Sequence, residues 1–160
     1  MAASRRWRLA GRWGALVTQG RWVDVPARGT LAAASVSHAV VAEAHTAYLA
    51  GHNTWGQLGQ GRTSVQGTAR IALPDRIVSA AAGLGFTCLA TSDALYVSGT
   101  NVRGQMGLDQ ERGSLSFQRL ALPAVRSVCA GLDHMLVLAG AQVWACGLHT
   151  DRQLGVPSRA

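Results

Sequence analysis

One tetrapeptide recurs at a fixed interval in this chain. Residues 56 to 59 read Gly-Gln-Leu-Gly, 104 to 107 read Gly-Gln-Met-Gly and 152 to 155 read Arg-Gln-Leu-Gly, so successive copies lie 48 residues apart. The same offset aligns Gly51, Gly99 and Gly147; Asn53, Asn101 and His149; and Tyr48, Tyr96 and Trp144. Upstream it aligns Ser35, Gly83 and Gly131, and again His38, Phe86 and His134. A period of this length belongs to arrays in which each unit buries its apolar face only against its neighbours.

Within a period the signals are those of short strands. FTCLA and ALYVS flank Thr91-Ser92-Asp93, two β-prone runs around a polar turn, and so predict a hairpin. MLVLA and QVWAC repeat it around Gly140, and SHAVVA and TAYLA around Glu43-Ala44-His45. RIVSAAA and VRSVCA predict a strand before the second and third hairpins. A further strand ends in Val25-Pro26, Leu73-Pro74 or Leu122-Pro123, where proline suits an edge that needs no ladder N–H. About four short strands per period and no helix predict an all-β chain: a partial β-propeller of about three four-stranded blades with a 48-residue repeat.

These residues resemble the regulator of chromosome condensation repeat family. Its pattern is an apolar strand, Gly-x-x-His, a second apolar strand ending near Trp-Gly-x-Asn, then Gly-Gln-Leu-Gly. Here it reads AGLDHMLVLAGAQVWACGLHTDRQLG and AAGLGFTCLATSDALYVSGTNVRGQMG. The resemblance covers residues 22–160, as three repeats with markers at 35–59, 83–107 and 131–155. It implies a seven-bladed propeller of which this chain supplies about three blades, so that further blades or a partner would cover the open edges; a linear stack is the other option. The chain departs from the pattern at Ser35 for the strand glycine, Phe86 for the histidine and Arg152 for the first loop glycine. Ala50, Ser98 and Cys146 stand where the family has tryptophan, and all of these read as drift in packing positions.

The glycine loop NTWGQLGQG also invites a phosphate-cradle reading. Such a cradle needs a helix N-terminus behind it, and GRTSVQGTARIALP, interrupted by Gly67 and Pro74, is no helix. The chain contains no lysine, so the Walker pattern fails as well. The glycines therefore read as turn residues that tolerate positive φ. His38 and His134 occupy equivalent places in different copies, which argues for buried histidines bonding the neighbouring backbone rather than for catalysis. His45 and His52 have no partners at zinc-site spacing, and no nucleophile, base and orienter can be assembled. No catalytic residue, cofactor or metal is expected. The expected interaction residues are those of the recurring loops: Trp55 and Gln57, Arg103 and Gln105, Asp151 and Gln153.

Charge and the termini narrow the partners. The formal charge is +7, but five of fifteen arginines (Arg5, Arg6, Arg8, Arg12 and Arg21) precede Asp24, the first acid. The body is close to balanced, which speaks against a nucleic-acid surface. The acid-free stretch 1–21 is expected to be an arginine-rich tail or an organellar transit peptide; Trp7 and Gly11, one period before Trp55 and Gly59, leave open that WRLAG is a loop of an earlier copy. The matching addresses are mitochondrial, or else cytoplasmic or nuclear. Three cysteines without CxxC spacing speak against a disulfide framework, and no run of 18 apolar residues occurs. The expected function is a non-enzymatic propeller scaffold with a protein partner, a GTPase or a larger assembly. If the address is mitochondrial, the resemblance implies regulation of an organelle GTPase or of ribosome assembly. The alternative is a guanine nucleotide exchange factor, but the unbroken 48-residue spacing leaves no room for the wedge that exchange-factor members insert. The photoreceptor motif Gly-Trp-Arg-His-Thr is absent, which excludes light sensing.

Overall fold

The computed structural model describes residues 30–155 in full and, before them, only the backbone of four short strands. These are β1 (Trp7–Leu9), β2 (Arg12–Trp13), β3 (Leu16–Val17) and β4 (Val23–Val25), with β1 antiparallel to β4 and β2 to β3. The rest of the expected arginine-rich tail or transit peptide lies outside the described residues, as does residues 156–160.

Three antiparallel meanders follow. The first runs β5 (Leu31–Ala34), β6 (His38–Glu43), β7 (Thr46–Asn53) and β8 (Ser64–Ala72), paired in that order. The second runs β9 (Ser79–Ala82), β10 (Phe86–Ala90), β11 (Ala94–Gly99) and β12 (Ser114–Ala121). The third is three-stranded: β13 (Val125–Ala130), β14 (His134–Ala139) and β15 (Gln142–Gly147). The architecture is the expected all-β partial propeller, with one difference: a fourth strand is described in two blades, not three. That strand follows the recurring loop, and in the third blade the loop ends at Gly155, the last described residue. β8 and β12 stop immediately before Leu73-Pro74 and Leu122-Pro123, as the prolines require of an outer strand.

The blades stack face to face, and this explains why the central strands lack polar alternation. Successive side chains of a strand point to opposite faces. On β10, Leu89 enters one core cluster with Val40, Ala42, Ala47, Leu49 and Leu58 of the first blade, while Cys88 and Ala90 enter another with Val125, Val128, Met135 and Val137 of the third. Both faces of the second blade are thus core. Burial follows position in the stack: β11 is buried at every residue, whereas no residue of β15 is fully buried. The inner strands β5 and β9 are built largely from alanine, small enough for neighbouring blades to approach; β9 packs against β5, β6 and β13.

Candidate functional site: the loops at the blade seams

Each recurring loop is tied by two side chains. The column of Asn53 and Asn101 closes its base: Asn53 Oδ1 accepts from the Leu58 N–H at 3.0 Å and Asn101 Oδ1 from the Met106 N–H at 2.8 Å, while Nδ2 donates to Arg62 O and to Leu108 and Gln110 O. In the third loop His149 Nδ1 takes the same role toward the Leu154 N–H at 3.2 Å. The glutamine folds back inside. Gln57 Oε1 accepts from Trp55 N–H at 3.0 Å, Gln105 Oε1 from Arg103 N–H at 2.8 Å, and Gln153 Oε1 from Asp151 N–H at 2.8 Å. Each tetrapeptide opens and closes at positive φ: Gly56 and Gly59, Gly104 and Gly107, Arg152 and Gly155. Only Arg152 adopts it without being glycine, and so carries the steric cost that glycine avoids.

This geometry corrects two expected interaction residues. Gln57 and Gln105 are fully buried and act as internal braces, because their Oε1 atoms satisfy backbone donors that the turn would otherwise orphan. Leu58, beside Gln57, is core. The Nε2 atoms of Gln57 and Gln105 are buried with no hydrogen-bond partner. Gln153 is part-buried in the same pose. The residue two positions earlier faces outward in every copy: Trp55, 44% exposed, Arg103 and Asp151. One backbone frame therefore presents an aromatic, a cation and an anion in succession.

The loops are also clamped by the next blade, through residues that sequence reasoning had taken for drift. Ser98 Oγ donates to Gly56 O at 2.7 Å and Cys146 Sγ to Gln105 O at 3.4 Å. These are the tryptophan-column positions, so their polar atoms serve the seam; the 48-residue column was visible, but nothing in it named the acceptor. From β12, Leu115 O accepts from Gly61 N–H at 2.8 Å, and the Phe117 ring lies where a Cβ at Gly59 would have to go. Trp55 lies over Gly85 of the second blade, where an added Cβ would meet the indole at 2.7 Å.

His38 and Thr87 join the first two blades beneath this loop. Thr87 Oγ1 donates to Gln57 O at 2.7 Å and therefore accepts from His38 Nε2 at 2.7 Å. His38 Nδ1 is then the acceptor, facing the hydroxyls of Ser37 and Ser35 at 2.9 and 3.3 Å, and the one Ser37 proton is shared between Nδ1 and Leu84 O. Burial, and then the proximity of His52, lower the His38 pKa to about 4, so the ring is neutral. His38 is the structural joint expected of it, though it reaches the backbone through Thr87; His134, in the same column, is only part-buried. Ser35 has its reason here too, since it bonds the ring that in the third blade lies instead against Gly131. One period on, Phe86 replaces the histidine and Met135 replaces the threonine; both are buried in the second core cluster. The two changes compensate each other across the seam.

The fold and its seams define a repeat β-propeller arc. It is the fold seen in solved RCC1-type propellers. The crystal structure of human WBSCR16 superposes with a TM-score of 0.71 at 22% identity, over 86% of this chain and 40% of that one. Yeast RCC1 (Prp20), in its crystal structure bound to Kap60, superposes with a TM-score of 0.64 at 21% identity, over 80% of this chain and 34% of that one. The chain thus spans less than half the length of either. No protein-family model matches the chain, and no curated protein matches it.

Proposed function

We propose that the chain is a non-enzymatic protein-interaction module whose loop ridge presents Trp55, Arg103 and Asp151 to a protein partner. One observation carries this reading: three loops share a frame closed by the same glutamine bond, and in each the outward side chain two positions before that glutamine differs in chemistry. A fixed frame with variable tips is how loops on a scaffold acquire specificity. That yeast RCC1 was crystallised with a protein bound to it supports a protein partner for this fold. The acid-free N-terminus supports a mitochondrial address, and with it a GTPase or ribosome-assembly context.

The test combines Trp55→Ala, Arg103→Glu and Asp151→Arg in the full chain and compares its crosslinked partners with those of the unaltered protein. Loss of a partner with unchanged circular dichroism is the expected result; a partner set that survives all three changes overturns the loop-ridge reading. A reporter carrying residues 1–25 that stays cytosolic removes the mitochondrial part. Accelerated nucleotide release from a small GTPase by the chain alone would replace the scaffold reading with an exchange factor.

A further inference from the structure

Sulfur is concentrated at one seam of this chain. Of its three cysteines and three methionines, Cys88, Met106 and Met135 are buried together in the core cluster between the second and third blades, and Cys146 packs against them. The equivalent places one period earlier hold Val40, Leu58, Thr87 and Ser98, so the first seam has no sulfur there.

Three of these side chains converge. Cys88 Sγ donates to Met135 Sδ at 3.4 Å across the seam. Met135 lies directly opposite Cys146 in the β14–β15 register, and directly opposed residues project from one face of a sheet. Gly107, which closes the second loop, covers both: a Cβ there would meet Cys146 Sγ at 3.5 Å and Met135 Cε at 3.8 Å. Cys146 Sγ in turn donates to Gln105 O at 3.4 Å. The sulfurs therefore lie on the side of the third blade that faces the second, and both walls belong to described blades. The two thiols also influence each other: burial, and then the proximity of Cys146, raise the Cys88 pKa. Burial pushes the Cys146 thiol up to about 11, while the Met135 backbone N–H favours its thiolate.

The donor set selects what could join these atoms. Cys88 and Cys146 stand on separate, facing sheets, which pack about 10 Å apart, wider than the Cα separation of about 4.4–6.8 Å that a disulfide allows. Zinc takes four ligands from thiolate, imidazole and carboxylate, and among the described residues no three His, Cys, Asp or Glu side chains are placed to hold a metal ion. Thiolate and thioether together are the ligands of soft ions.

We propose that Cys88 Sγ, Met135 Sδ and Cys146 Sγ form a binding site for a soft monovalent cation, Cu(I), between the second and third blades. Two thiol protons leave for solvent as two thiolate–copper bonds form, the thioether adds a third sulfur through its lone pair, and no electron is transferred. Because protons are released, affinity rises with pH. The proton that Cys146 gives to Gln105 O is one of the two, so binding also removes this clamp on the second loop. The site stands whether or not the loop ridge binds a partner.

The experiment loads the full chain with Cu(I) under anaerobic conditions against the competing chelator bicinchoninate, with the exposed Cys129 replaced by serine so that it supplies no rival thiol. One copper per chain is expected to resist the chelator, with an all-sulfur shell in X-ray absorption and retention that increases with pH. Cys88→Val and Cys146→Ser take the residues that the first seam carries at these places, and each should lose the ion; Met135→Leu should hold it more weakly. A rise in the thermal midpoint on adding Cu(I) needs no change at these three residues, so a folding defect in a variant does not obscure the result. Failure of the chain to retain copper overturns the proposal, as does binding unaffected by Cys88→Val. A shell containing nitrogen or oxygen, or equal retention of zinc, also overturns it by showing an adventitious surface site.

Discussion

Ala44 sits at a φ of 50° in the tight turn of the first blade, while Gly140, two periods on, holds the same position at 60°. The third blade has the residue this conformation favours and the first does not. Ala44→Gly should therefore raise stability by roughly 1 kcal/mol, read as a rise in the thermal midpoint, since a left-handed alanine costs about 1–2 kcal/mol and glycine's added chain entropy cancels only part of that. A fall in the midpoint would mean that the turn is held by something other than its torsion. His38 makes a prediction in pH. Unfolded, it takes up a proton near its ordinary value of 6.5; folded, it does so only near 4, because burial and then His52 disfavour the cation. Its contribution is fully present above pH 6.5 and declines as pH falls toward 4, by up to about 3 kcal/mol. Urea titrations from pH 7 to 4 should show that decline, and His38→Gln should flatten it.

At the scale of the element, the loop and the seam separate two roles that the sequence had merged. The loop motif showed where the chain turns, and the 48-residue columns showed which residues are equivalent; neither distinguished the inward glutamine from the outward Trp55 or Arg103. A polar residue beside glycines reads as surface until the turn is closed, and only then is Gln57 seen to satisfy the Trp55 amide. Gln57→Ala should cost about 1 kcal/mol for the lost hydrogen bond to the Trp55 N–H, and should speed hydrogen exchange at Trp55. Phe86 carries the second seam as His38 and Thr87 carry the first. Phe86→Ala should cost about 3–5 kcal/mol in denaturant unfolding. The unfavourable outcome for the pairing described here would be a Phe86→His variant as stable as the original, because Met135 offers no hydroxyl in the place of Thr87.

Across the whole molecule, the stack predicts an order of protection. β10 and β11 are buried throughout and β15 is open, so amides of β15 should exchange first and those of β10 and β11 last. Uniform exchange across the three blades would contradict the face-to-face stack. The hairpins, the number of repeats and the proline-terminated outer strands were legible in the chain because period-2 apolar runs and a 48-residue recurrence are local or additive signals. The joints between blades were not, because the bonds across a seam link residues 30 or more positions apart: Thr87 with Gln57 and with His38, Ser98 with Gly56, Cys146 with Gln105. The sequence by itself determined that the chain is an all-β repeat array and where each loop falls. Only the tertiary structure decided which loop residues face solvent and which hold the blades together, since a side chain's exposure depends on the neighbouring blade that covers it, and the repeat pattern carries no record of that contact.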